Sequence, residues 1–233
     1  MQETDAAFSD DLKLLHEAVV EAGRMALARY ERGDTRSWEK SPGHPVTSAD
    51  LEANRILKER LTRARPDYGW LSEETALARD THLNETVWCV DPIDGTRAFM
   101  GGEPYWAIAG ALVTGNRAVI GVVHAPALEE TYWAELGKGA WLNGRRLFTS
   151  SQDEETGCRM IASESMLTHP AWSVPWPQME LARPKPNATL LRMCWVATGQ
   201  WDATLALWRK SDWDLAAGAI IVEEAGGSAS THL

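Results

Sequence analysis

Apolar residues at Leu12, Leu15, Val19, Ala22, Ala26 and Tyr30 recur three or four positions apart and the pattern stops at Gly33. That spacing predicts an amphipathic helix over about 9–32. Pro42, Gly43 and Pro45 mark a loop, after which Thr47-Ser48-Ala49-Asp50 has the form of a capping box ahead of Leu51, Leu57 and Leu61. A second helix is therefore expected up to about residue 65, before Pro66. From there the period changes. Short apolar runs at 68–71, 87–90, 107–113 and 119–123 are separated by Gly, Asn and Pro, the punctuation of strands, and Thr114-Gly115-Asn116-Arg117 and Asn143-Gly144 read as hairpin turns. Pro170, Pro175, Pro177, Pro184 and Pro186 forbid long regular elements over 151–187. Beyond them the chain predicts a helix ending at 194–198, a strand at 202–207 and an apolar helix over 214–225 that Gly226-Gly227 terminates. Two helices, a run of strands and then mixed elements describe one α+β or layered αβ domain over 1–233, with an N-terminal α+β half of about 1–150 and a C-terminal α/β half of about 151–233.

Composition narrows the functions open to such a fold. The 44% hydrophobic and 24% charged residues are those of a folded chain. Lys plus Arg number 23 against 33 Asp plus Glu, and the net charge of −10 has the wrong sign for neutralising phosphates along a strand. A nucleic-acid polymer is not an expected partner. No apolar run approaches the roughly 20 residues of a membrane span. Glu3, Asp5, Asp10 and Asp11 stand where a secretory leader carries positive charge, so the expectation is a cytoplasmic protein with no membrane contact. Cys89, Cys158 and Cys194 lie far apart and read as reduced core residues. The six His show no metal-ligand spacing, so any metal would be held by oxygen. Twelve Trp are assigned to core and interface packing, including Trp172, Trp176, Trp195, Trp201, Trp208 and Trp213 in the last third.

The carboxylates carry the chemistry. Trp88-Cys89-Val90 runs into Asp91-Pro92-Ile93-Asp94-Gly95-Thr96, and two acids at the end of a buried strand are costly unless cations neutralise them. Pro92 fixes one dihedral and Gly95 permits a turn other residues resist, so the segment can bend until Asp91 and Asp94 face one point. Thr96 then opens a helix whose free N–H groups suit an anion. Acid and carbonyl oxygens beside such a cradle suit a hard metal ion with a phosphate. The pattern recurs where Tyr68-Gly69-Trp70-Leu71 ends at Ser72-Glu73-Glu74, for which a solvated turn is the alternative, and where Asp214 precedes an apolar helix, for which a simple N-cap is the alternative.

Trp88-Cys89-Val90-Asp91-Pro92-Ile93-Asp94-Gly95-Thr96 resembles the first signature of the inositol monophosphatase family. Trp213-Asp214-Leu215-Ala216-Ala217-Gly218 with Glu224-Ala225-Gly226-Gly227 resembles the second. Leu71-Ser72-Glu73-Glu74 and Val46-Thr47-Ser48-Ala49-Asp50 are similar to two further family motifs, so the resemblance runs from about residue 10 to the end. It implies a layered α/β/α/β/α sandwich and a Mg²⁺-dependent phosphomonoesterase acting on a small phosphorylated metabolite. One ion is implied at Glu73, Asp91 and the Ile93 carbonyl, a second at Asp91, Asp94 and Asp214, and a third, weaker one near Glu73. Thr96 and Asp50, joined by Glu74, form the implied catalytic set, with capping alone as the rival role of Asp50. Ile93, Asp94, Gly95 and Thr96 would hold the phosphate, and Asn187-Ala188-Thr189 the rest of the substrate. A homodimer and Li⁺ inhibition follow from the same resemblance.

Within that family the substrate stays open among inositol phosphates, histidinol phosphate, 3'(2'),5'-bisphosphate nucleotides and fructose bisphosphate. Ala206-Leu207 stand where inositol-specific members commonly place an acid, which weakens a strict inositol assignment. Arg97, Arg192, Arg209 and Lys210 suit a second phosphate, unless they are plain surface residues. The sequence stops soon after Gly226-Gly227, where family members usually continue, so a short C-terminal end is expected. A metal-binding protein without this chemistry, and an interaction protein presenting its Trp-rich last third, are the two readings outside phosphatase activity.

Overall fold

The computed structural model describes residues 9–75, 85–170, 172–183 and 185–230. Helix α1 (Asp10–Arg32) starts at Ser9, whose hydroxyl accepts from Leu12 N–H, and stops at Gly33 in the left-handed conformation. Helix α2 (Ser48–Ala64) begins with the expected box: Thr47 Oγ1 accepts from the Ala49 and Asp50 N–H groups while Asp50 returns a bond to Thr47 N–H. Between them the expected loop is an antiparallel hairpin, β1 (Ser37–Ser41), exposed throughout, and β2 (His44–Thr47), whose last two residues are buried. Pro45 is tolerated there because the hairpin stands apart from the main sheet and no further strand needs its missing N–H.

The main sheet has the order β3-β4-β5-β6-β7-β8-β9. It comprises β3 (Gly69–Ser72), β4 (Thr86–Asp94), β5 (Ala107–Thr114), β6 (Arg117–Ala125), β7 (Glu130–Glu135), β8 (Gly139–Leu142) and β9 (Arg145–Arg146), with α3 (Thr96–Met100) after β4. The β3–β4 pair is parallel and the rest antiparallel. Both expected hairpin turns form, with Gly115 and Asn116 in one and Asn143 and Gly144 in the other at positive φ. One face of the sheet packs on α1 and α2 through Leu12, Leu15, Val19, Leu57, Trp88, Trp106 and Ile108. Side chains of that size each contribute about 1.5–3 kcal/mol when fully buried.

The other face packs on α5 (Thr189–Ala197) and α6 (Ala216–Glu224) through Leu190, Leu191, Cys194, Ile220 and Ile221. Gly121 makes the approach possible, since a Cβ there would stand 2.7 Å from the Ala217 carbonyl. Outside these helices lies a three-stranded parallel sheet, β11-β10-β12, made of β10 (Arg159–Ile161), β11 (Glu180–Leu181) and β12 (Ala203–Thr204), with α4 (Glu164–Leu167) against it. The chain is a layered α+β fold. The strand expected at 202–207 is only the pair Ala203–Thr204, and the helix expected from Asp214 begins at Ala216, preceded by a 3₁₀ turn over Asp212–Asp214. Trp70, Trp88, Trp106 and Trp133 fill the core, whereas Trp208 in the last third is 80% exposed. Cys89, Cys158 and Cys194 are free and buried. Among the described residues no helix is long and apolar enough to cross a membrane.

Candidate active site

Strand β4 is buried along most of its length and delivers Asp91 and Asp94 to its end, 1% and 5% exposed. In a regular strand residues three apart point to opposite faces. A bulge between Asp91 and Asp94, opposite Ala109 to Ala107 of β5, breaks that alternation and brings the acids together. Burial pushes the Asp91 carboxyl well above the usual carboxylate range, and repulsion from Glu73, Asp94, Asp214 and Asp50 pushes it further. Five acids from four parts of the chain therefore surround one point. Against this, Asp91 Oδ1 accepts from Ile93 N–H at 3.1 Å.

Asp94 is held by backbone alone. Its two oxygens accept from the Thr189 and Leu190 N–H groups at 2.9 and 2.6 Å, the first turn of α5. Burial raises its carboxyl to about 6 in spite of those bonds and the nearby Lys210. Gly95 follows at φ 93°, where a Cβ would lie 2.9 Å from the Tyr105 carbonyl and 3.1 Å from the Ala188 Cβ. Only glycine suits that position, and it turns the chain into α3. Thr96 Oγ1 then stands 3.1 Å from both Asp50 Oδ1 and the Ile93 carbonyl. The capping acid of α2 thus accepts from Thr96 with one oxygen while capping with the other, so capping does not occupy the whole carboxylate. Burial raises its carboxyl, opposed by hydrogen bonds from Thr47 and Thr96.

Pairing of β3 with β4 sets Ser72 beside Val90, which places Glu73 next to Asp91. Ser72 Oγ donates to Asn54 Oδ1 of α2 at 2.7 Å and accepts from Glu74 N–H, fixing the turn. Lys40 of the β1–β2 hairpin reaches over it, with Nζ 3.1 Å from Glu73 Oε1 and 2.7 Å from Glu74 Oε1. Glu74 has a side chain only 2% exposed, and burial raises it although Lys40 opposes this. Asp214 closes the 3₁₀ turn, accepting from Ser211 N–H at 2.8 Å, with Lys210 Nζ 3.9 Å from its other oxygen.

Of the expected substrate residues, Asn187 is exposed, while Ala188 and Thr189 are buried against Gly95 and Asp94. Lys40 and the α5 clamp are absent from the sequence reading. Lys40 lies 34 residues from Glu74 and the clamp is backbone, so neither leaves a local signature. Among the described residues no three His, Cys, Asp or Glu side chains stand as a ready-made metal cage. Lys40, Ser211 N–H and the α5 N–H groups hold several of the acids. As donor chemistry the cluster nevertheless fits hard divalent ions, being all oxygen, buried at Asp50, Asp91 and Asp94, and short of positive charge at Asp91.

A sequence profile of the inositol monophosphatase family matches residues 9–231. An inositol-1-monophosphatase of Rhizobium meliloti is 35% identical over 93% of this chain and 83% of its own length. A histidinol-phosphatase of Chlorobaculum parvum is 34% identical over 93% and 84%. The crystal structure of extragenic suppressor protein suhB from Bartonella henselae superposes with a TM-score of 0.78 at 28% identity, covering 94% of this chain and 86% of that one.

Proposed function

The chain belongs to the inositol monophosphatase family, and from that premise we propose that it is a Mg²⁺-dependent phosphomonoesterase hydrolysing a small phosphorylated metabolite. The observation that carries the proposal is Asp91, a buried carboxylate repelled by four other acids. Removing that many charges from water is costly without cations to compensate them. Glu73, Asp91 and the Ile93 carbonyl would hold one ion, and Asp91, Asp94 and Asp214 another. Lys40 would have to leave Glu73 for the first to bind. When bound, such ions supply positive charge for the phosphate and the leaving oxygen and lower the pKa of the attacking water.

The chain's own residues would do the rest. Thr96 Oγ1, between Asp50 and the Ile93 carbonyl, orients the attacking water, and Asp50, made more basic by burial, takes its proton. Gly95 and Thr96 N–H groups bind phosphate oxygens as charge develops on them. Thr189 acts through Asp94, Glu74 through the Lys40 it shares with Glu73, and Ala188 by packing under Gly95. Asn187 is left to meet the substrate. No covalent phosphoenzyme is needed. The same reading carries a third, weaker ion near Glu73, Li⁺ sensitivity, a homodimer, a cytoplasmic location and one phosphatase domain over 1–233.

Phosphate release from inositol 1-phosphate and histidinol phosphate, with and without Mg²⁺, tests it. Turnover that needs Mg²⁺ and falls by about 10²-fold or more in a folded Asp91→Asn variant is the expected result, given what charge-stabilising groups contribute to catalysis. Turnover that survives in Asp91→Asn overturns it.

A further inference from the structure

Helix α6 is apolar on every side as far as Val222, the composition of a helix enclosed all round. It is not fully enclosed. Ala217, Ile220 and Ile221 are buried, but Ala216 and Ala219 stand half-exposed. The helix lies over β5 to β8, brought close by Gly121, and leaves the β3 side of the same sheet face open. Beside it runs a groove of about 640 Å³ floored by Leu71, Val87, Cys89, Val113 and Leu215. Of these five only Cys89 is buried, so the floor is apolar surface left facing solvent. The volume is that of a small-molecule site, for which about 300–1,000 Å³ is usual.

The rim is acidic. Glu85 stands just before β4, Asp212 on the 3₁₀ turn and Glu223 on the last turn of α6, all three exposed. Among the described lining residues Arg117 is the only cation, and it is matched to Glu223, 3.8 Å from Oε2. Among the described residues neither Glu85 nor Asp212 has a cation at ion-pair distance. The walls also lead towards the acid cluster. Residues two apart on a regular strand share a face, so Cys89 and Asp91 point to the same side of β4, while Leu215 follows Asp214 directly. An occupant therefore meets apolar side chains below it and negative charge around it. A second copy of a chain with net charge −10 brings like charge to that rim, and an anionic ligand does the same. We infer that the groove binds a small hydrophobic cation, an ammonium on an aromatic or branched apolar body, with the body on Leu71, Val87 and Leu215 and the ammonium at Glu85 and Asp212. This goes beyond the phosphatase reading and does not rest on it.

Calorimetry with 4-phenylbutylammonium, 4-phenylbutan-1-ol and 4-phenylbutanoate tests the inference, because the three share a body and differ in charge. One ammonium per chain is expected to bind, about three- to fivefold tighter than the alcohol, the scale of a partly exposed ion pair, with the carboxylate weaker than both. Raising the salt to about 1 M should close that gap. Ala219→Phe fills the groove and should abolish binding of ammonium and alcohol alike. Glu85→Gln combined with Asp212→Asn leaves the floor intact and should bring the ammonium down to the affinity of the alcohol, which decides the matter if Ala219→Phe does not fold. No ammonium binding at millimolar concentration, a carboxylate that binds as tightly, or binding that neither variant moves overturns the inference. Binding lost in Asp91→Asn but kept in Ala219→Phe overturns it too, by placing the ammonium among the site acids. So does self-association of the chain that Ala219→Phe abolishes, which gives the groove to a second copy. Turnover is not read in any arm, so the phosphatase reading stands or falls separately.

Discussion

Asp94 offers a quantitative check on the electrostatics of the site. Its carboxyl is buried, and burial lifts it from the ordinary 3.8 to about 6. A folded-state pKa above the unfolded one means that the native protein holds the proton more tightly. The resulting stability is complete below about pH 3.8 and is lost as pH rises through about 6. At about 1.4 kcal/mol per tenfold change in affinity the whole contribution is about 3 kcal/mol, of which about 2 kcal/mol falls between pH 4.5 and pH 8. Asp94→Asn cannot ionise. It gives up an acceptor for one of the Thr189 and Leu190 N–H groups, a cost of about 1–3 kcal/mol that is nearly independent of pH and cancels when slopes are compared. Urea unfolding in chelator at the two pH values should therefore show the wild type losing about 2 kcal/mol more than Asp94→Asn on going to the higher pH. Relief of repulsion at Asp91 adds to the difference in the same direction. Parallel pH dependences in the two proteins, or a steeper loss in the variant, would refute the claim that the acids at the end of β4 are buried and mutually repelling.

Gly23 lies on the buried face of α1, where an added Cβ would stand 2.3 Å from His124 Cδ2. Alanine gains about 1 kcal/mol in helix propensity, so a net loss of about 1–3 kcal/mol in denaturant unfolding of Gly23→Ala is the signature of that contact, and a gain contradicts it. Burial lowers His124 itself from 6.5 to about 4. A depressed histidine contributes stability that is complete above about 6.5 and is lost as pH falls to about 4, up to about 3 kcal/mol, so His124→Gln should flatten acid unfolding over that window. Gly95→Ala meets a backbone carbonyl at 2.9 Å from a left-handed conformation, which cannot be relieved by moving a side chain. A cost of about 2–4 kcal/mol and a fall in Tm of at least about 5 °C are expected, and unchanged melting speaks against the turn described.

The parts of this fold that announce themselves locally are legible in the sequence. Ser9, Gly33 and the Thr47–Asp50 box bound α1 and α2 because capping is made by residues a turn apart. The Asp91–Thr96 turn is legible because Pro92 and Gly95 restrict the backbone where the acids fall. The hairpin 37–47 is not, since its first strand is exposed throughout, only Val46 and Thr47 of the second are buried, and Pro42, Gly43 and Pro45 read as loop. Strands β7 and β8 are equally quiet, because Glu130-Thr131-Tyr132-Trp133-Ala134-Glu135 does not alternate and its middle residues are buried together. Asp214 reads as the start of a helix because acids favour first turns, yet it belongs to the 3₁₀ turn before α6. The α5 clamp on Asp94 and the Lys40 bridge to Glu73 and Glu74 join distant parts of the chain, so only the folded structure brings them into view.

The central claim is that the acids around Asp91 form a cation site, and thermal unfolding with and without Mg²⁺ tests it without reference to any substrate. A ligand that binds only the native state raises its stability by about 2.7 kcal/mol at a hundred times its Kd. In a chain of this size that corresponds to a rise in Tm of about 5–10 °C. The account predicts such a rise in the wild type and little or none in Asp91→Asn, which should itself be no less stable than the wild type in chelator. A wild type whose melting ignores Mg²⁺, or an Asp91→Asn variant stabilised as much as the wild type, contradicts it.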